Sequence, residues 1–144
     1  MYHGIASMYE PLDESKREIR LLHLFPGDDG GALKCTFSLV SLDDELDYEA
    51  VSYVWGDAED RRSVNVEAVD EPVLITRNLG SVLRNIRLQD RQRVLWVDAL
   101  CINQQDLNER GSQVAMMVTI YSQSSRVLAY LGDYWDGCEL AVEI

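Results

Sequence analysis

The residues best suited to chemistry gather directly after a short apolar run: Asp98, Cys101, Asn103, Gln104, Gln105 and Asp106 follow Val94, Leu95, Trp96 and Val97. A carboxylate at the end of a buried strand fits nucleotide or metal binding, and it fits equally well the capping of neighbouring backbone amides. Asn103 and Asp106 read more simply as residues that shape a turn and start a helix. Cys101 is a nucleophile only with a base in reach. The histidines, His3 and His23, fall in the lead-in and the first strand, so Cys/His and Ser/His/Asp arrangements are set aside and Cys101 reads as a small buried residue. A second polar corner, Trp55-Gly56-Asp57, ends another β-rich run. There the glycine allows a sharp exit from the strand and the indole offers a stacking face to a base. The acidic run Asp43, Asp44, Glu45 and Asp47 lacks calcium-loop spacing and reads as a solvated turn, and the chain has no Gly-rich phosphate loop.

These corners need elements to hold them. Residues 94–97 suit a strand buried on both faces, which puts Asp98 at its carboxyl end. Asp106 with Glu109 three residues later is a capping-box signature. Beyond it, Arg110, Val114, Met117 and Tyr121 recur at helical spacing, with Val118 and Ile120 widening the face, so one long packed helix is expected. Glu109 and Arg110 then pair with nearby groups or with Asp98. Upstream, residues 17–25 and 34–42 read as an antiparallel hairpin joined by turn formers at 26–31. Residues 48–57 read as a buried strand, Val64 and Val66 as a short edge strand, and 73–76 as its hairpin partner. Asn78 is a plausible cap for a helix with Leu79, Val82, Leu83 and Ile86 on one face, and 126–131 reads as a last strand. The alternation of strand and helix after residue 50 is the pattern of a parallel α/β sheet. The expected fold is therefore α/β, with a largely parallel central sheet, flanking helices and a preceding antiparallel hairpin. In such sheets ligands bind outside the carboxyl ends of the strands, so both corners are expected to share one crevice.

Composition narrows the classes. A chain of 144 residues fits one domain, with residues 1–16 as a lead-in and 17–144 as the domain. A net charge of -12 argues against binding a phosphate backbone, which is neutralised by Lys and Arg. Cys35, Cys101 and Cys138 have no paired spacing, so neither a disulfide framework nor a zinc site is indicated and a reduced cytoplasmic setting is expected. No stretch approaches the ~20 apolar residues of a membrane span.

Several long segments in order, YEAVSYVWGD, the NL start at Asn78, LWVDALCINQQD, ER..QV..M..IY and a closing V..YLG, resemble the fungal heterokaryon incompatibility (HET) domain. The opening YEPL and REIRLLHLFPG resemble that family's lead-in. Val51, Ser124 and Tyr130 depart from it by packing-type changes, and the chain stops at Ile144, soon after the last motif, as a short or truncated member would. The resemblance implies an effector of fungal non-self recognition and programmed cell death, acting by partner binding or self-association. HET domains are similar in turn to Toll/interleukin-1 receptor (TIR) domains, which implies a TIR-like or flavodoxin-like sheet. The alternative reading it brings is an NAD-cleaving hydrolase. Trp135 and Glu139 stand in the spacing of the TIR glutamate motif, which makes Glu139 the catalytic candidate, with NAD as substrate and Trp55, Asp57 and Asp98 lining the pocket. An ordinary surface glutamate is the other reading of Glu139.

Overall fold

The computed structural model describes residues 9–28, 31–53, 64–68 and 71–130. Its strands are β1 (Glu18–Leu24), β2 (Leu33–Ser41), β3 (Glu49–Tyr53), β4 (Val64–Ala68), β5 (Glu71–Ile75), β6 (Arg93–Val97) and β7 (Arg126–Tyr130). Its helices are α1 (Arg77–Ile86), the single turn α2 (Asp98–Cys101), α3 (Leu107–Ala115) and α4 (Met117–Gln123). All the strands form one sheet in the order β5-β4-β2-β1-β6-β3-β7.

The sheet is mixed, which corrects the expectation of a largely parallel one. Pairing is parallel at β2–β4, β6–β3 and β3–β7, and antiparallel at β1–β2, β1–β6 and β4–β5. The β1–β2 hairpin exists, with Leu22 opposite Phe37. It does not precede the sheet, however: it sits at the middle, where β1 bridges to β6 through Leu22 opposite Leu95. Strand β4 is accordingly internal and β5 forms the edge. The parallel group β6-β3-β7 at the other end keeps the strand, helix, strand logic read from the sequence.

Helix α1 forms where its apolar period predicts, burying Leu79, Val82, Leu83 and Ile86, but Thr76 rather than Asn78 is its cap. The Thr76 hydroxyl accepts from the Leu79 amide at 3.3 Å. The expected long helix is two, broken at Met116 (φ -96°, ψ -1°). On α3 the buried side chains are Glu109 and Gln113, one position before the expected Arg110 and Val114, whereas on α4 the expected Ile120 is buried and Met117 and Tyr121 pack against the core. The core lies between the sheet and these helices, with Trp96, Ile19, Leu22, Leu95 and Leu100 among its fully buried side chains.

Two tyrosines lash α4 to the parallel strands. Tyr48, just before β3, donates to the Ile120 carbonyl at 2.5 Å, and Tyr121 donates to the Val51 carbonyl at 3.2 Å. Burial pushes both phenols up to about 12, so each remains a donor at any physiological pH. The Tyr121 ring meets Trp96 edge to face, with centroids 5.7 Å apart. Nearer the amino ends of the strands, Glu49 accepts from Arg93 at 2.7 Å and also pairs with Arg126. Burial pushes the Glu49 carboxyl up, but the hydrogen bonds and charges of the two arginines outweigh it and hold the group below its ordinary 4.5. The depressed folded value means the unfolded chain takes up this proton first as pH falls. Stability from Glu49 is therefore full above about pH 4.5 and is lost as pH falls through the lower folded value. Urea unfolding followed from neutral pH to about pH 3 should show a shallower acid loss in Glu49→Gln than in the parent chain. Identical acid slopes would remove Glu49 from the account.

Candidate functional site

Asp98 stands at the carboxyl end of β6, as read from the sequence, and opens α2. The corner that follows closes on itself. The Gln104 amide donates to the Asp98 carbonyl at 2.8 Å, and the Asn103 side chain accepts from the Gln105 amide at 3.2 Å. Asp106 caps α3 by accepting from the amides of Asn108 and Glu109, both at 3.1 Å. Cys101 is fully buried, receives the Val97 amide on its sulfur at 3.5 Å, and has its thiol pushed up to about 12 by that burial. A thiol so protonated is no nucleophile at neutral pH. Asn103, Gln104 and Asp106 thus each give one side-chain group to holding the turn between α2 and α3.

What holds the corner to the sheet is a residue that sequence reading passed over. Arg20 of β1, 1% exposed, forms a bidentate pair with Glu109, 9% exposed, through two contacts of 2.7 Å. The same guanidinium donates to the Cys101 carbonyl at 3.2 Å and the Glu10 carbonyl at 2.7 Å, and lies 4.4 Å from the centre of the Tyr9 ring. Glu109 also accepts from the Asn103 amide at 2.6 Å. The glutamate of the capping signature therefore reaches to Asn103 and Arg20, not back to Asp106. Arg20 carried a sequence signal all the same: a charge inside the apolar strand 18–24 must find a partner or leave the core.

A groove of about 690 Å3 opens beside this pair. One wall is residues 11–15 with Glu18, where Asp13 caps a short 3-10 turn, Glu14–Lys16. The other is Asp106, Asn108, Glu109, Ser112, Gln113 and Met116. Ser112 donates to Glu14 across it, and the Gln113 amide donates to the Glu18 carbonyl at 3.1 Å. Residues 11–15 of the expected lead-in thus form part of a groove wall. Pro11-Leu12-Asp13-Glu14-Ser15, with an Asp in the cap position, was the available clue to structure there.

Trp55, Gly56, Asp57, Trp135 and Glu139 lie outside the described residues, so the shared crevice and the glutamate motif have no geometry here. Among the described residues no group of three or more His, Cys, Asp and Glu is placed to hold a metal ion. No described helix is long and apolar enough to cross a membrane.

The profile of the family described as Heterokaryon incompatibility protein (HET) matches residues 48–142. The chain belongs to the HET family. It is also 35% identical over 136 residues to heterokaryon incompatibility protein 6, OR allele, of Neurospora crassa, a match that covers 84% of this chain and 20% of that relative. The chain therefore spans about a fifth of the length of the curated relative it matches. No solved structure matches it. The HET match begins at Tyr48, so Arg20 and the groove wall at 11–18 lie upstream of it, while Asp98, Cys101, Asn103, Gln104, Asp106 and Glu109 lie within it.

Proposed function

We propose that this HET-family chain acts in fungal non-self recognition as an effector of programmed cell death, and does so by partner binding or self-association. Family membership over residues 48–142 is the observation that carries the reading, together with the incompatibility relative. The surface of α3 and α4 supports the association step. Leu107 and Val114, two turns apart on α3, are 75% and 53% exposed, and Val118 in the next turn is 83% exposed. Exposed apolar side chains of this size, two on α3 and one at the start of α4, support a surface that gains by being covered. The corner residues, engaged in holding their own turn, support a role for this region in presenting that face.

The test is Leu107→Glu combined with Val118→Glu, expressed in fungal cells and purified in parallel. The expected result is loss of cell death, and a lower sedimentation coefficient wherever the parent self-associates, with an unchanged circular dichroism spectrum. Retained toxicity in this variant, together with loss of toxicity and of NAD consumption in Glu139→Gln, would overturn the reading in favour of an NAD-cleaving hydrolase.

A further inference from the structure

Spacing along the chain offers His23 no nucleophile, but the β1–β2 hairpin supplies one. Antiparallel pairing sets Leu21 opposite Ser38 and His23 opposite Thr36, so Ser38 and His23 stand diagonally on one sheet face, the face away from Arg20. The imidazole Nε2 lies 2.8 Å from the Ser38 hydroxyl oxygen. Its Nδ1 lies 3.3 Å from the Gln92 side-chain oxygen. A carboxamide oxygen only accepts, so Nδ1 carries the proton and Nε2 is the acceptor of the Ser38 O–H. A hydroxyl on a base, with the base held by a third group, is the arrangement of an activated nucleophile. Ser38 and His23 are half-buried and Gln92 is exposed, so all three are reachable from solvent.

The surroundings fit an acyl acceptor. The Phe25 amide donates to the Lys34 carbonyl and the Leu42 amide to the Arg17 carbonyl, which fixes the alternation along β2: the amide of Ser38 faces β1 and that of Leu39 faces away. Beyond Cys35, β2 pairs with no strand but β1 among the described residues. The Leu39 amide, next in the chain after the nucleophile, is thus left by those strands as a donor for an oxyanion formed at Ser38. Val94, opposite His23, and Gln92 also line a cavity of about 240 Å3, a size that suits a short acyl or alcohol group.

We propose that Ser38 is a nucleophile activated by His23 and that the pair cleaves short-chain esters through an acyl-serine. In the first half the Ser38 proton passes to Nε2 as Oγ bonds to the carbonyl carbon. The departing alcohol oxygen takes that proton when its bond to carbon breaks. In the second half water gives a proton to Nε2 as it attacks the acyl carbon, and Oγ recovers that proton on leaving. The sum is ester and water to acid and alcohol. Gln92 is a positioning residue, which fixes the tautomer and touches no reacting atom. This activity is separate from the association reading and uses none of Leu107, Val114 and Val118.

The probe is 4-nitrophenyl acetate mixed with the purified chain. Release of 4-nitrophenolate is followed by absorbance, and the acetyl group is located by mass spectrometry after an acid quench. The acetyl group should be found on Ser38. Ser38→Ala and His23→Gln should each lower kcat/KM by at least about tenfold, since a general base contributes about 10²–10⁴-fold. Gln92→Leu should lower kcat with KM little changed, and Gln92→Glu, which keeps an acceptor for the Nδ1–H, should restore it. Ser38→Cys keeps a nucleophile of similar shape and should still carry acetyl at position 38, with circular dichroism confirming the fold of every variant. Acetyl found only on amines, an unchanged rate in Ser38→Ala, or equal rates in Gln92→Leu and the parent chain would each overturn the proposal. These readouts involve neither cell death, sedimentation nor NAD, so they stand apart from the test of the function.

Discussion

Glu109→Ala is expected to cost about 3–5 kcal/mol of folding stability, which approaches the whole margin of a weakly stable domain. The carboxylate satisfies both arms of the Arg20 fork and the Asn103 amide, in a place where Arg20 is 1% exposed. Removing it strands a guanidinium that water cannot reach. Replacing both partners, Arg20→Met with Glu109→Leu, should be milder than Glu109→Ala alone, because no charge is then left buried. It should still fall short of the parent, because the Asn103 amide and the Glu10 and Cys101 carbonyls lose their partners. Urea unfolding monitored by circular dichroism measures all three chains. A loss below about 1 kcal/mol in Glu109→Ala would show that the pair is solvated in the folded protein.

The second large effect is expected at Trp96. This indole, fully buried in β6, fills the space between sheet and helices and meets Tyr121 edge to face at 5.7 Å. Trp96→Ala removes that volume and leaves a cavity, which costs about 3–5 kcal/mol. Trp96→Phe should cost clearly less than half of that. The ring contact with Tyr121 is largely kept, and the buried indole N–H, which has no hydrogen-bond partner among the described residues, is deleted rather than stranded. Thermal unfolding of both variants gives the comparison, and equal losses would show that the indole nitrogen contributes favourably after all.

The local elements were legible in the sequence because their signals are local. The strand ending at Asp98, the Asp106 cap, the apolar face of α1 and the β1–β2 hairpin all depend on residues within a few positions of one another. The strand order was not legible, because nothing near β1 states that it will bridge to β6 and place the hairpin mid-sheet. The buried face of α3 was missed for a chemical reason. Hydropathy marks Val114, whereas the side chains turned inward on α3 are Glu109 and Gln113, whose value inside depends on Arg20 and Glu18 far away in the chain. The HET resemblance was legible from the motifs, and residues 48–142 match that family. Gln104 and Asn103, expected as ligand candidates, each give one side-chain group to their own turn, which depends on which carbonyls and amides stand within reach.

The position of the hairpin bears on where the folding unit begins. The HET match starts at Tyr48, yet β1 and β2 lie at residues 18–41 and stand between the two halves of the sheet. A fragment cut to the matched region would keep β6-β3-β7 and β4-β5 as separate pieces. The β1-facing side of β6 and the β2-facing side of β4 would then present bare amides and carbonyls, each a template for pairing with another chain. In this protein the boundary drawn by the family match and the boundary drawn by hydrogen bonding differ by two strands, and the second governs whether a trimmed domain leaves strand edges bare.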